Sequence, residues 1–135
     1  MITAIDTNVL IDVLAADPQF GKLSAQALRA SLQGGAVVAC PVVWTETATA
    51  FRQESDFLTN MATLGIEYSE IEQAATLLAA SAWRRYRKQG GPRQRVVADF
   101  LVGAHARTHC DQLSTRDRGT YKKYFDKLEV IDPTQ

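Results

Sequence analysis

Residues 1–14 read MITAIDTNVLIDVL, and a change of rhythm inside this stretch sets the fold class. Residues 2–5 form an apolar run of strand length. Asp6 and Thr7 interrupt it, and Val9, Leu10, Val13 and Leu14 then recur at helical spacing. A strand that feeds straight into a helix is the opening of a β-α-β unit. The same change recurs at residues 36–46, AVVACPVVWTE. Residues 36–40 are continuously apolar, the pattern of a strand covered on both faces. Pro41 suits the first turn of a helix, where no amide partner is needed.

Working outward, residues 21–33 read as a helix with Leu23, Ala27 and Leu28 inward, stopped by Gly34-Gly35. The helix opened by Pro41 is predicted to run to about residue 53, with a shorter one over 56–63 and a strand over 65–68. Ser69, with Glu72 three residues on, has the form of a capping box for a long helix. Its apolar stripe is Ile71, Ala74, Ala75, Leu78 and Ala82, and Gly90-Gly91-Pro92 ends it. A helix over 94–108, strands over 113–115 and 128–131, and a short helix around 121–125 complete the pattern. This is an α/β chain with a mostly parallel sheet of four to five strands. There is no internal repeat or linker, so residues 1–135 form a single domain.

The chain carries 15 Lys plus Arg against 15 Asp plus Glu, which would argue against a polyanionic partner. The sum conceals an imbalance. Residues 1–72 have a net charge of −6, residues 84–127 a net charge of +8, and the last eight residues −2. Sign asymmetry of this size points toward a polyanion. No run of 18 apolar residues is present, so no membrane helix is expected, and the start lacks the basic flank of a signal peptide. Cys40 and Cys110 make no metal-binding spacing. They read as reduced, mostly buried thiols of a cytoplasmic protein.

Ligands of open parallel sheets bind beyond the carboxyl ends of the strands, near the point where strand order reverses. Asp6 ends the first predicted strand, and Asp117 lies two residues beyond the predicted fourth; Asp6 alone could equally be a helix cap. Glu46 has Val42, Val43 and Ala50 as helical neighbours, so its face should point into the protein. Asp99 has Val102, Gly103 and Ala106 on its face, with Gly103 leaving space beside it. Burying an ionised carboxylate costs several kcal/mol unless a cation or several donors compensate it. Four such residues without a His or Cys cluster favour a hard cation, Mg2+ or Mn2+. His105 and His109 have the i, i+4 spacing seen at zinc sites. They point well away from Asp99 and are read as surface or partly buried side chains.

Taken together, IDTNVLID, PVVWTE, ADFLVGAHA and STRDRGTYKKYF resemble the PIN-domain ribonucleases, especially the VapC-type toxins of bacterial toxin–antitoxin pairs. The resemblance covers essentially the whole chain. It implies a three-layer α/β/α sandwich, metal-dependent cleavage of RNA, a homodimer and a cognate antitoxin partner. The family's four acidic positions would fall on Asp6, Glu46, Asp99 and Asp117. On this reading Asp6 and Asp99 hold Mg2+ or Mn2+ most directly, while Asp117 and Glu46 complete the site. Asn8 and Thr115 are candidate donors that hold the carboxylates in place.

The basic half then gains a use. Arg84, Arg85, Arg87, Lys88, Arg93 and Arg95, with Arg116 and Arg118 flanking Asp117, are candidate contacts to RNA. A solvated helix end is the plainer use of the first four. Tyr86, Tyr121 and Tyr124 are expected in the core more than on bases. Phe51, Phe57, Leu58 and Met61 either dock a partner helix or fill the core. Two other readings compete: a module that binds metal or RNA without cutting, and a small phosphatase. The phosphatase is disfavoured because Asp6-Thr7-Asn8 lacks a second acid.

Overall fold

The structure is a computed structural model that describes residues 1–92 and 96–135. The strands are β1 (Ile2–Ile5), β2 (Ala36–Ala39), β3 (Ile66–Tyr68), β4 (Gln112–Ser114) and β5 (Glu129–Ile131). The helices are α1 (Thr7–Leu14), α2 (Gly21–Gly34), α3 (Pro41–Ala48), α4 (Glu54–Leu64), α5 (Gln73–Lys88), α6 (Val97–His109) and α7 (Arg118–Tyr124). The five strands pair in parallel in the order β3-β2-β1-β4-β5, between layers of helix, as an α/β/α sandwich. From β1 the chain works outward to β2 and β3, then returns to place β4 on the other side of β1. The order therefore reverses between β1 and β4, and the loops that follow them open into one crevice.

Several elements differ from the sequence reading for identifiable reasons. Helix α3 stops at Ala48 instead of running to about residue 53. Thr45 and Thr49 turn their hydroxyls back onto the carbonyls of Pro41 (2.7 Å) and Glu46 (2.6 Å), which competes with regular helix propagation. Ser69 does not cap α5, which starts after Glu72. Its hydroxyl is instead hydrogen-bonded to Nε2 of His105, 2.9 Å away. His105 is thus buried, not a surface residue.

The inward stripe of α5 is Ala75, Ala79, Ala82 and Tyr86, whereas Ala74 is exposed. Small residues on that line let α6 approach closely. On α2 the inward residues are Gly21, Ser24 and Leu28, while Leu23 is exposed. Tyr86, Tyr121 and Tyr124 are all buried, and Tyr86 and Tyr124 pack with Phe100 in one aromatic cluster. Phe57 and Met61 also fill the core, and Leu58 faces out. No helix among the described residues is long and apolar enough to cross a membrane.

Candidate active site

Asp6 leaves β1 in extended conformation and becomes the N-cap of α1, so cap and site are the same residue. Its Oδ1 accepts the Thr7 amide at 2.8 Å, and its Oδ2 accepts the Thr115 hydroxyl at 2.8 Å and the Asn8 amide at 3.4 Å. Asp6 is 8% exposed. Burial raises its carboxyl above the ordinary carboxylate range, and the Asp99 charge adds to the rise against the pull of the Thr115 and Thr7 bonds. A bond to a charged group contributes about 1.5–3 kcal/mol, while burying the charge costs several. The bonds from Thr115, Thr7 and Tyr121 lower the carboxyl's pKa but do not cancel the rise that burial causes.

The other acids approach from three elements. Asp99 is the third residue of α6 and accepts the amide of Val96 at 3.1 Å, acting as the acid that closes the helix start. Asp117, half-buried, precedes α7, and its own amide donates to the Thr115 hydroxyl at 3.0 Å. The Tyr121 ring stands among these acids. Burial raises its phenol far above the usual range, and the charges of Asp6, Asp99 and Asp117 all reinforce that. Asp99, Asp117 and Tyr121 line one crevice with Phe100, Thr120 and Phe125. Glu46 reaches the cluster differently: it accepts the Thr7 hydroxyl at 2.7 Å. The structure thus brings all four predicted acids to the carboxyl ends of the sheet.

Two details of the sequence reading need correction. Glu46 is exposed, because α3 ends before Ala50 can continue the apolar face; the buried residues of α3 are Val43 and Thr47. Gly103 leaves no room for Asp99. A β-carbon there would lie 2.3 Å from the Phe125 ring, so the glycine seats Phe125 against α6.

Asn8 and Thr115 both meet Asp6. Asn8 also donates to the Thr115 hydroxyl at 3.3 Å and accepts the Arg116 amide at 3.1 Å. The sequence reading missed Asp12, which is buried on α1. The Arg116 guanidinium donates to it through Nε at 2.8 Å and Nη2 at 3.2 Å. The Ser24 hydroxyl donates to the same carboxylate at 2.8 Å. The available signal was an acid set among the inward apolar residues of IDVL. Arg116 spends its fork on that pair, with the Phe20 ring 4.1 Å beneath, and so does not reach out as a free phosphate contact.

Of the other basic candidates, Arg84, Lys88 and Arg118 are exposed. Arg85 donates to the Tyr124 carbonyl at 2.7 Å, and Arg87 to the Gly91 carbonyl at 2.9 Å. Gln89 accepts the Tyr124 hydroxyl at 2.9 Å, so the basic end of α5 rests on α7, the helix that also carries Tyr121. Arg93 and Arg95 lie outside the described residues.

The donor set consists of carboxylate and hydroxyl oxygens, and its buried member keeps a pKa raised by burial, which suits a hard divalent ion. Among the described residues, no three His, Cys, Asp or Glu side chains stand close enough to form a ready-made cage. Mg2+ does not require one. It retains water and is commonly held by one or two carboxylates together with substrate phosphate oxygens. Asp6 and Asp99, near enough for one charge to act on the other, supply that minimum.

The sequence model of the PIN domain matches residues 3–126. The chain belongs to the PIN-domain family. All four acids of this PIN domain lie inside the matched span. No curated protein is significantly similar to it in sequence. Among solved structures, the PIN domain superposes on VapBC-1 from nontypeable Haemophilus influenzae with a TM-score of 0.77 at 19% identity, over 100% of both chains. VapBC2 from Rickettsia felis, bound to a DNA fragment from its promoter, gives 0.75 at 14% identity, over 97% of this chain and 98% of that one. VapC20 of Mycobacterium tuberculosis, a sarcin–ricin loop cleaving toxin, gives 0.64 at 15% identity, over 94% and 98%. At these identities the likeness is one of fold.

Proposed function

We propose that this PIN domain is a metal-dependent endoribonuclease that hydrolyses RNA phosphodiester bonds and serves as the toxin of a toxin–antitoxin pair. The observation that carries the reading is the buried Asp6, whose carboxyl is raised by burial and by the Asp99 charge, beside a Tyr121 phenol on which the charges of Asp6, Asp99 and Asp117 all act, with Glu46 bonded to the Thr7 hydroxyl. Asp6 and Asp99 would hold a divalent ion, Mg2+ or Mn2+, which would supply a more acidic water and charge compensation for the phosphate. The chain's own part is positional. Thr115, Asn8 and the Thr7 amide fix the direction of Asp6. Asp117 and Glu46 border the place of attack, where one of them orients the incoming water. Exposed Arg84, Lys88 and Arg118 draw the RNA backbone toward the acids.

The toxin role is supported by the fold shared with the VapBC complexes and with VapC20. It brings with it a cognate antitoxin, a homodimer and a cytoplasmic setting. The acidic crevice suits a basic inhibitor side chain. Incubating purified protein with structured RNA and Mg2+ or Mn2+, beside an EDTA control, tests the reading. Metal-dependent fragments are expected. RNA bound but uncut would replace it with a non-cleaving module, and phosphate released from small esters would replace it with a phosphatase.

A further inference from the structure

The sequence places Arg116 next to Asp117, where a substrate contact is the natural first reading. The geometry gives it a different task. Its guanidinium is held in a two-pronged bond by Asp12, whose carboxylate is buried and also takes the Ser24 hydroxyl. The Phe20 ring covers one guanidinium face at 4.1 Å. The backbone of the same residue is tied as well: the Arg116 amide donates to Asn8 Oδ1. The residue on its amino side, Thr115, donates to Asp6, and the amide on its carboxyl side, that of Asp117, donates to the Thr115 hydroxyl. Arg116 is therefore the point at which the turn after β4 is fastened to α1 and α2. That turn carries Asp117, which lines the acidic crevice, and Thr115, which donates to Asp6.

We propose that Asp12 and Arg116 form a clamp that positions the Thr115–Arg116–Asp117 turn for the reaction, with Arg116 acting through the protein rather than on RNA. The inference rests on the ribonuclease reading for its kinetic consequence but not for its geometry. A planar two-pronged bond fixes direction as well as distance, so neither a lysine nor a lone carboxamide reproduces it. Losing either partner frees the turn. Asp117 then samples orientations in which it faces neither the crevice nor an attacking water.

The test compares Asp12→Asn, Arg116→Gln, Arg116→Lys and the Asp12→Asn/Arg116→Gln double variant. Cleavage of a labelled hairpin RNA should fall by about 10- to 100-fold in kcat for each single change, with little change in KM. The double variant should be no worse than the more damaged single one, the signature of two residues acting as one unit. Arg116→Lys should recover only part of the rate. RNA affinity in EDTA, and its salt dependence, should be unchanged throughout. If Arg116→Gln weakens binding and shallows the salt slope by about one phosphate contact while Asp12→Asn does neither, Arg116 touches RNA and the clamp is wrong.

Two further readouts do not depend on cleavage. Exchange of the Arg116 and Asp117 amides should accelerate at least about tenfold in Asp12→Asn, and Mn2+ affinity should drop. Unchanged exchange would overturn the clamp. If the unaltered protein cuts no RNA, the ribonuclease reading fails by itself, and amide exchange still decides the clamp. Should Asp12→Asn not fold, Phe20→Leu, which removes only the ring beneath the guanidinium, takes its place. It is then expected to give a smaller rise in exchange and a smaller loss of rate, and no change in either would overturn the clamp.

Discussion

The two sides of the acidic crevice are built differently. On the β1–β4 side, Asp6, Asn8, Thr115 and Arg116 are interlocked by hydrogen bonds that run from a buried carboxylate to an ion pair whose acid, Asp12, is buried. On the α3 side, Glu46 is exposed and, among the described residues, meets the cluster through the Thr7 hydroxyl. The first side holds a charge that burial disfavours, so its directions must be fixed by a shell of donors before any ligand arrives. The second side leaves its acid in water, where the charge costs little and the side chain can turn toward substrate. Rigidity is found where desolvation is greatest.

The largest expected break in this contrast is Asp6→Asn. Folding raises the Asp6 pKa, so the protonated carboxyl favours the fold below the unfolded value of 3.8, and that benefit is lost as pH rises through the folded pKa. At neutral pH the charge therefore works against the fold. Asp6→Asn should abolish cleavage yet raise the melting temperature of the metal-free protein. It should also remove the stabilisation that Mg2+ gives the unaltered chain. A lowered melting temperature would show that the donors outweigh the cost of burial.

Next in size is an acid effect of opposite sign. His105, buried and bonded to Ser69, is pushed down to about 4, chiefly by burial and also by the neighbouring His109. Its contribution is complete above its ordinary value near 6.5 and is lost as pH falls toward 4, about 3 kcal/mol in all. Urea midpoints across that range should decline in the unaltered protein and decline less in His105→Gln. An identical decline in both would remove His105 from the account.

Thr115→Val deletes the donor to Asp6 while keeping the shape, and should cost about 10- to 100-fold in rate with the metal requirement retained. Thr7→Val cuts the hydroxyl bond to the Glu46 carboxylate and should cost no more than about threefold, since water can take the place of the hydroxyl. If Thr7→Val proves as damaging as Thr115→Val in the cleavage assay, the two sides are equally pre-set and the contrast collapses.

The strands were legible because each is a short apolar run placed between turn signals, and that pattern depends on local composition. The acids at strand ends were legible for the same reason. Glu46 was misread as buried because its apolar neighbours were counted along a helix that two threonines end early. Asp12 went unseen because its local signal, an acid among the apolar residues of IDVL, does not name its partner Arg116, 104 positions away. Ser69 read as a cap because its sequence spacing is right, yet its partner is His105, on a different helix.

By itself, then, the sequence determined an α/β sheet and the four carboxylates that could share a site, since periodicity and residue chemistry are properties of short stretches. Only the tertiary structure decided which carboxylate is buried and what supports it. It also decided that the arginine beside Asp117 faces Asp12. Burial and pairing are set by contacts between segments far apart in the chain, and the free energy of a charge depends on those contacts more than on its neighbours in sequence.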